Sequence, residues 1–353
     1  MARSARQVMV GGVSLGGGAP VRVQSMTTAH TSDIEKTGEQ IARLYEAGCE
    51  TVRVAVRGEE DARAIAKLKE FSPMPVVADI HYSAGQAIAA IESGADKVRI
   101  NPGNIGGEKQ IAAVAACIRA HHIPVRVGSN TGSIEKHFLE KYGRSAEALV
   151  ESALYNAALL EKFGVEDIVI SVKASSVPLT VEAYRLAAKR CGYPLHLGVT
   201  EAGTAESGIV KSSIGIGALL LDGIGDTIRV SLTDDPVEEI YAAKRILRAC
   251  GLEKDFVDVV SCPTCGRCEW DSMGLAKRVE RLTFGMKVPL KVAVMGCAVN
   301  GIGEAQDCDL GIAGGRGKCV LFRKGVPFKT VPSQEAEEVF MRELRAMTGQ
   351  KEE

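Results

Sequence analysis

The stretch SCPTCGRCEW, residues 261–270, places Cys262, Cys265 and Cys268 three residues apart, and Cys297 follows at the end of the apolar run KVAVMGC. Thiolates at this spacing bind metal, and both a four-thiolate zinc site and an iron–sulfur cluster fit it. Zinc ribbons usually offer two separate CxxC pairs, whereas radical-type clusters use a CxxxCxxC string, and CPTCGRC matches neither pattern. Spacing alone therefore leaves both kinds of metal site open.

A second set of candidate residues consists of cations placed inside β-branched runs. Arg53 lies in TVRVAV, Arg126 lies in PVRVGSN, Lys173 ends DIVISVK, and Arg99 and Arg229 occupy similar positions in KVRINPG and TIRVSL. A guanidinium group binds phosphate oxygens in pairs because its planar fork matches their geometry. These five cations therefore predict a binding site for a phosphorylated ligand.

The other polar residues predicted at the same strand ends include few acids. They are Asp79, His81, Asn101, Asn130, His196, Glu201 and Ser231. Two carboxylates against five cations leave a surplus of about three positive charges, and unpaired buried charge is costly. The surplus predicts an anionic substrate, most simply a diphosphate. The competing interpretation is that each cation forms an internal salt bridge that holds the fold in register.

Three of these residues are candidates for proton transfer. His81 and His196 are predicted at the rim as phosphate donors, although general acid and purely structural roles are also compatible with their positions. Glu201 follows LHLGVT directly and is the better acid/base candidate. Cations around its carboxylate would keep it ionised, so proton donation from it requires substrate charge or desolvation to raise its pKa.

The elements that must position these residues repeat one pattern eight times through residue 250. Each unit is a short β-branched run followed by an amphipathic stretch with helical spacing. The runs are 21–26, 51–56, 75–80, 97–103, 124–130, 167–173, 194–200 and 227–232. Eight β/α units in about 230 residues predict a TIM barrel, whose active sites lie at the C-terminal ends of its strands. A doubly wound open sheet is the alternative, and it usually has fewer strands.

The two ends of the chain depart from this pattern. The first 20 residues, with VMVGGVSLGGG, predict a hairpin that closes the bottom of the barrel, and Asp234 and Asp235 before Pro236 predict a helix start. After residue 251 the rhythm changes to short strands around one helix, with a last helix over 333–347. We therefore predict a substrate-binding barrel over 1–250 and a smaller α+β metal-binding domain over 251–353.

Composition excludes several classes of protein. The chain has 353 residues, with 43 basic and 44 acidic side chains, so its overall charge provides no general attraction to nucleic acid or to a membrane surface. No 18-residue apolar run or targeting segment is present in the sequence, which predicts a cytoplasmic protein. In a reducing compartment the clustered cysteines favour metal binding over disulfides. Cys49, Cys117, Cys191 and Cys250 stand alone and are predicted to be inert.

The barrel favours iron over zinc. A metal beside a diphosphate site has a purpose if it acts on the substrate, whereas a closed structural zinc site does not need that neighbour. Glu304, seven residues after Cys297 in GCAVNGIGE, offers an oxygen ligand that iron releases more readily than a thiolate.

The long motifs carry a resemblance to a known family. They are SCPTC, MGCAVNGIGEA, NPGNIG, SVKAS, LHLGVTEAG, KSSIGIG and GIGDTIRVSLTDDPVEEI. In this order, over nearly the whole chain, they resemble the 4-hydroxy-3-methylbut-2-enyl diphosphate synthase family of the non-mevalonate isoprenoid pathway. The length is similar to that of its two-domain bacterial form.

The resemblance implies a TIM barrel followed by a domain with one [4Fe–4S] cluster, whose ligands would be Cys262, Cys265, Cys297 and Glu304. The implied substrate is 2-C-methyl-D-erythritol 2,4-cyclodiphosphate, which undergoes a two-electron reductive ring opening with loss of water. Its diphosphate would rest on the five cations, with the asparagines and Ser231 as neutral donors. Iron would release Glu304 and take the substrate C3 oxygen, and Glu201 would protonate the leaving hydroxyl.

The same resemblance implies partners. Ferredoxin or flavodoxin would donate the electrons, and the protein would form a head-to-tail homodimer in which the cluster domain of one subunit covers the barrel mouth of the other. Cys268, Cys308 and Cys319 lie outside the implied ligand set. Cys268 is close enough to compete with Glu304 for the fourth iron, and we expect Glu304 to be the ligand.

Two other functions compete with the reductase. One is a pterin- or phosphosugar-binding barrel lyase with a zinc-stapled tail, which metal analysis would distinguish. The other is a non-catalytic iron–sulfur regulator, which the balanced charge and the cation-lined barrel disfavour.

Overall fold

A computed structural model describes Ser4 and residues 6–349 of the chain. The chain divides into two compact units, Met1–Leu252 and Glu253–Glu353. In the part that the model describes, no helix is both long and apolar enough to cross a membrane.

The first unit begins with the predicted hairpin. Strands β1 (Gln7–Val10) and β2 (Val13–Gly16) pair antiparallel, and their apolar side chains pack against Val77 and Val169 near the N-terminal ends of two barrel strands. Gly11 at the turn has a φ of +55°, and a Cβ there would lie 3.0 Å from Cγ of Pro75. The prediction that the hairpin closes the bottom of the barrel is confirmed.

Eight parallel strands form the barrel. They are β3 (Arg22–Met26), β4 (Thr51–Val56), β5 (Val76–Ile80), β6 (Lys97–Ile100), β7 (Val125–Asn130), β8 (Ile168–Lys173), β9 (His196–Leu197) and β10 (Thr227–Ile228). Their order is β8-β7-β6-β5-β4-β3-β10-β9, and a parallel bridge between Ile170 and Leu195 joins β8 to the chain entering β9. The eight-unit TIM barrel predicted from the sequence is confirmed.

Helices follow the strands on the outside of the barrel. They are α1 (Ile34–Glu46), α2 (Glu59–Phe71), α3 (Ala84–Glu92), α4 (Glu108–Ala120), α5 (Lys136–Tyr142), α6 (Ala146–Glu161), α7 (Val177–Arg190), α8 (Ala205–Leu221) and α9 (Pro236–Ala249). Asp33, Ser83, Ser145, Ser176 and Asp235 cap five of them by accepting a backbone N–H. The helix start predicted at Asp235 is confirmed, since its carboxylate accepts from N of Val237 at 3.0 Å.

The second unit is a five-stranded mixed sheet with helices. Its elements are β11 (Val257–Ser261), α10 (Ser272–Thr283), β12 (Leu290–Met295), α11 (Ala298–Glu304), β13 (Leu310–Gly315), β14 (Lys318–Arg323), β15 (Val326–Pro332) and α12 (Ala336–Thr348). The first three strands in the sheet are parallel, and β14 and β15 complete it antiparallel. A core of Val292, Leu310, Leu321 and Phe340 lies between the sheet and the helices.

Strand β13 and helix α11 of this unit were not predicted from the sequence. Strand β13 has the sequence LGIAGG and α11 has the sequence AVNGIGE, so both are rich in glycine, which has low intrinsic preference for either element. Pairing with β12 and β14 on both sides holds β13 in place. Tertiary packing therefore outweighs the local propensity of these segments.

Candidate active site

Strand alternation sorts the barrel side chains into an outer and an inner set. Val52 and Val54 pack into the core under the helices, so Arg53 between them faces the barrel interior. The strand register places the inward residues in layers contributed by alternate strands. The uppermost of four such layers, near the C-terminal ends of the strands, holds Lys173, Asn101 and Ser231. Lower in the barrel, one layer holds Arg53, Arg99, Ser171 and Arg229, and the next holds Gln24, Val77, Arg126 and His196. The lowest of the four layers holds Thr51, Lys97, Val169 and Thr227.

Asp79 is the acidic centre of this interior. Its carboxylate lies 3.6 Å from Nε of Arg53, 3.3 Å from Nη1 of Arg99 and 3.7 Å from Nε2 of His81. Burial by itself would raise the pKa of Asp79, but Arg53, His81 and Arg99 outweigh burial and hold that pKa well below its usual range. Asp79 is therefore an ionised partner that is already committed to two arginines.

Arg126 and Lys173 have no such partner. In Ser4 and residues 6–349, no carboxylate oxygen forms an ion pair with either cation, and Nη1 of Arg126 instead donates to Oε1 of Gln24 at 3.3 Å. Burial and then the neighbouring arginines lower the pKa of both groups well below their ordinary values. An incoming anion would relieve this repulsion, so these two side chains define the strongest attraction for negative charge.

Arg229 has a carboxylate partner that the sequence analysis did not anticipate. Its Nη2 lies 3.1 Å from Oε1 of Glu239, a buried residue of α9 that also accepts from Oγ of Ser25 at 2.8 Å and from N of Leu232 at 3.1 Å. The sequence predicted Asp79 and Glu201 as the only acids near these cations, whereas Glu239 is a further one and Glu201 forms no ion pair among the described residues. Its side chain is exposed on the loop after β9, and its backbone adopts a left-handed φ of +53°.

The neutral donors lie at different depths. Asn101 is buried, its Oδ1 accepts from N of Gly103 at 3.3 Å, and its Nδ2 has no hydrogen-bond partner. Asn130 at the end of β7 is half-buried and pairs in register with Lys173. Ser231 is half-buried just after β10. His81 is more than half exposed beside Asp79, which is consistent with a rim position.

His196 lies deeper than predicted. Its side chain has 0% exposure, and both ring nitrogens lack a hydrogen-bond partner. Burial and then Arg126 and Lys173 lower its pKa well below 6.5, so the ring is neutral. The expectation of a rim position is therefore corrected, because inward residue 196 falls in the layer of Arg126 rather than in that of Lys173.

In the second unit, the backbone before Cys297 approaches the CPTC loop. N of Gly296 donates to Sγ of Cys262 at 3.1 Å, and a Cβ on Gly296 would lie 3.1 Å from Sγ of Cys268. Cys265 is exposed in the same loop, and Glu304 is exposed at the end of α11. An amide hydrogen bond to sulfur is suited to a thiolate ligand, and such bonds tune iron–sulfur sites.

The remaining thiols have different environments. Sγ of Cys268 lies 3.2 Å from O of Trp270 and 3.2 Å from Oγ of Ser272, so its S–H has an acceptor within the protein. Cys308 and Cys319 are fully buried; burial raises the pKa of Cys308 to about 11 and that of Cys319 above its ordinary value. Their environments favour neutral thiols.

The described residues contain no preformed single-ion site. Among Ser4 and residues 6–349, no three histidine, cysteine or acidic side chains converge on a point that would hold one metal ion. A [4Fe–4S] cluster takes one protein ligand per iron, so its four ligands need not converge in this way. Cys262, Cys265, Cys297 and Glu304, the ligands that the resemblance implies, would supply three thiolates and one oxygen to such a cluster.

Two family models match the chain. The GcpE TIM-barrel domain matches residues 5–244, and the GcpE protein C-terminal domain matches residues 258–346. The chain belongs to the GcpE family. One relative, from Caldanaerobacter subterraneus subsp. tengcongensis, is 54% identical over 98% of this chain and 98% of its own; another, from Desulfotalea psychrophila, is 53% identical over 98% and 96%. Both are named 4-hydroxy-3-methylbut-2-en-1-yl diphosphate synthase (flavodoxin).

Solved structures of low identity share the barrel of this GcpE chain. A truncated 3-deoxy-D-arabino-heptulosonate 7-phosphate synthase from Thermotoga maritima has a TM-score of 0.52 at 16% identity and covers 70% of this chain and 93% of its own. Dihydropteroate synthase from Yersinia pestis has a TM-score of 0.51 at 12% identity and covers 70% and 100%. At these identities the likeness concerns the fold alone.

Three residues of the GcpE barrel site were missed from the sequence, and two of them carried a usable signal. Lys97 shares the inward face with Arg99 because the two are two residues apart in one strand. Glu239 lies on the helix face of Ala243 and Ile246, which are buried, so its burial was readable from helical spacing. Gln24 gave no signal, since its role depends on reaching Arg126 across the barrel.

Proposed function

We propose that this GcpE-family chain converts 2-C-methyl-D-erythritol 2,4-cyclodiphosphate to (E)-4-hydroxy-3-methylbut-2-enyl diphosphate. The bond between C2 and its phosphate oxygen breaks, the C3 hydroxyl leaves as water, and the C2–C3 double bond forms. Two electrons and one proton balance the step, with the freed phosphate oxygen leaving as an anion. The names of the relatives and the charge of the barrel interior support this assignment.

The observation that carries the proposal is the unbalanced charge inside the barrel. Arg53, Arg99 and Arg229 have carboxylate partners, whereas Arg126 and Lys173 have none within the described part of the chain. A diphosphate provides paired oxygens for the guanidinium groups and negative charge for the two unpartnered cations. Because that charge lies on the ligand rather than on the protein, it is gained only when substrate binds.

The neutral donors complete the proposed diphosphate site. Lys173, Asn101 and Ser231 share the uppermost of the four layers, and Asn130 pairs with Lys173 on the adjacent strand. Their amide and hydroxyl groups donate hydrogen bonds without adding charge. His81, held beside Asp79, is placed to add one further donor at the rim. His196, which lies beneath, would act through Arg126 rather than by contact with the substrate.

Glu201 is our proposed proton donor to the leaving C3 hydroxyl. Its exposed carboxylate follows β9, so it lies on the C-terminal side of the barrel, where the strand ends form active sites. The strained φ of +53° has a role on this interpretation, because it directs the side chain at a fixed position in the loop.

The cluster ligands that we propose are Cys262, Cys265, Cys297 and Glu304. A bound [4Fe–4S] cluster would contribute electron transfer at this site. The chain prepares for it by donating the Gly296 amide to Cys262 and by giving Cys268 internal partners, which leaves Glu304 as the fourth ligand.

We also propose flavodoxin as the electron donor, since the relatives carry it in their names. The head-to-tail homodimer and the cytoplasmic location remain predictions. The ten free cysteines, including the buried Cys308 and Cys319, are compatible with a reducing compartment.

Turnover tests the function directly. The full chain, purified without oxygen and reduced with dithionite, should convert the cyclodiphosphate to the linear allylic diphosphate, visible as two new phosphorus resonances. Metal analysis should find about four irons per chain and no stoichiometric zinc. An iron-loaded protein that leaves the cyclodiphosphate unchanged would overturn the proposal.

Metal content tests the ligand assignment independently of turnover. Cys262→Ser should lose most of the iron and the visible absorption, because its thiolate and its amide hydrogen bond are both removed. Cys268→Ser is the matched control in the same loop and should keep both. The opposite pattern would show that Cys268, not Cys262, holds iron.

A further inference from the structure

In the lower part of the barrel interior, four buried nitrogen atoms of described residues have no hydrogen-bond partner. They are Nζ of Lys97, Nε of Arg126, and both ring nitrogens of His196. All three side chains are almost completely buried, at 0%, 2% and 0% exposure respectively. Buried polar groups in proteins are nearly always paired, so a cluster of unpaired ones indicates a missing partner.

The three side chains lie in two adjacent layers at and beneath the floor of the proposed diphosphate site. Arg126 on β7 bonds to Gln24 on β3, and these strands are four positions apart in the eight-stranded barrel, so the two side chains together bridge the lumen. His196 shares this layer, and Lys97 belongs to the layer beneath it. Below Lys97 the hairpin closes the barrel with Val8, Val10 and Leu15.

These two lower layers contain positive charge and, among the described residues, no inward acid. The other inward residues of the two layers are Gln24, Val77, Thr51, Val169 and Thr227. Gln24 has already used its amide, since it donates to Oγ1 of Thr51 at 3.1 Å and accepts from Arg126. Burial and then Arg126 and Arg53 lower the pKa of Lys97 to about 7, and no acid is among the causes.

We propose that these lower layers form a second anion site beneath the diphosphate site, sharing Arg126 with it, and that this site binds one small monovalent inorganic anion of the chloride class. Lys97, Nε of Arg126 and a ring N–H of His196 donate to it. A diphosphate is excluded because the side chains of Arg126 and Gln24 meet across the lumen above Lys97 and the hairpin closes the floor. The anion balances the charge of Lys97 and Arg126 in a dry interior, which holds Arg126 in place beneath the substrate.

Chloride-dependent stability tests this site in the full chain. When sodium chloride replaces sodium gluconate at constant ionic strength, the barrel Tm should rise by about 2–4 °C once the chloride concentration exceeds the dissociation constant several-fold. Calorimetry or far-UV circular dichroism must be used, because the single tryptophan, Trp270, lies in the second unit and does not report on the barrel.

Three variants locate the effect. Lys97→Met should remove the chloride response and be at least as stable as wild type in gluconate, since an unpaired buried charge is gone. Lys67→Met, which removes an exposed lysine from α2, and Lys173→Met, which removes a cation from the diphosphate site, should both retain the response. A response lost in Lys173→Met but kept in Lys97→Met would place the anion in the upper site and overturn the proposal.

Crystals soaked in sodium bromide give a direct measurement on the wild-type chain. An anomalous peak within hydrogen-bonding distance of Nζ of Lys97 is expected. Water alone beside Lys97, with no bromide peak and no difference in Tm between chloride and gluconate, would overturn the proposal.

Discussion

At the residue scale, the barrel site depends on which cations already have a partner. Asp79 is shared by Arg53 and Arg99, and Glu239 holds Arg229, whereas Lys173 and Arg126 are buried among like charges. The first three arginines are therefore held in place before a ligand arrives. The other two lack a counter-charge until a ligand supplies one.

The protonation of Lys173 gives a pH prediction. Burial and then Arg126 and Arg53 lower the pKa of Lys173 in the free protein, and a bound diphosphate raises it again. Binding therefore takes up a proton in the pH range between these two values, and affinity falls as pH rises through that range. Titration calorimetry with inorganic pyrophosphate in two buffers of different ionisation enthalpy measures the proton uptake.

Lys173→Met is the control for this measurement, because protonation of pyrophosphate itself cancels in the comparison with wild type. The variant should take up fewer protons and bind more weakly. Equal proton uptake by the two proteins would contradict the prediction.

Glu201 allows its chemical and conformational roles to be separated. Glu201→Gln keeps the shape of the side chain, and Glu201→Gly relieves the backbone strain at a φ of +53°. Both variants remove the carboxyl proton. We expect each variant to lose about 100-fold or more in kcat, as for removal of a general acid. The Tm of Glu201→Gly should be no lower than that of wild type. Steady-state kinetics and calorimetry on the same preparations test this, and substantial turnover by Glu201→Gln would remove Glu201 from the mechanism.

At the element scale, α9 is attached to the barrel through Glu239. Its carboxylate accepts from Arg229, from Oγ of Ser25 and from N of Leu232. Glu239→Leu leaves Arg229 buried without its counter-charge, so we expect a loss of about 3–5 kcal/mol in the free energy of unfolding, measured by urea denaturation. Adding Arg229→Met should restore part of it.

The control for α9 is an exposed ion pair on α2. Oε1 of Glu59 lies 2.6 Å from Nη2 of Arg63, one helical turn further along α2. The free energy of unfolding of Glu59→Gln should be indistinguishable from that of wild type. If Glu239→Leu were equally harmless, α9 would not depend on its buried carboxylate.

Strand β13 positions the cysteine loop through two adjacent glycines that differ in their surroundings. A Cβ on Gly314 would lie 2.2 Å from the Trp270 ring, whose Nε1 donates to O of Gly296 at 3.1 Å, whereas a Cβ on Gly315 would meet only O of Lys318 at 3.5 Å. Gly314→Ala should therefore displace Trp270, shift its fluorescence to the red and lower iron content. Gly315→Ala, the neighbouring control, should change neither, and a normal emission spectrum for Gly314→Ala would refute the argument.

At the scale of the whole molecule, the predicted head-to-tail homodimer has two consequences. Sedimentation equilibrium should give twice the 37.4 kDa chain mass. Coexpression of Glu201→Gln and Cys262→Ser chains should recover about a quarter of wild-type turnover, because random pairing makes half the dimers mixed and each mixed dimer has one intact pairing of barrel and cluster domain. No recovery despite mixed dimers would mean that each chain uses its own cluster.

Hydrophobic alternation and helical spacing determined the barrel from the sequence alone, because eight repeats of a strand followed by an amphipathic helix have few other solutions. The same alternation placed Arg53, Arg99 and Arg126 on the inward face. The glycine-rich β13 and α11 escaped detection, since their conformations depend on neighbours distant in sequence.

The tertiary structure alone decided the partners and the depth of these residues. Spacing along a strand gives the face of a side chain, but only the stagger between strands gives its height, which is why His196 lies in the layer of Arg126 instead of at the rim. Glu239 replaced Glu201 as the counter-charge because α9 packs its buried face beside β10 and β3. The contact between Arg126 and Gln24 joins residues 102 positions apart, and only closure of the barrel brings them together.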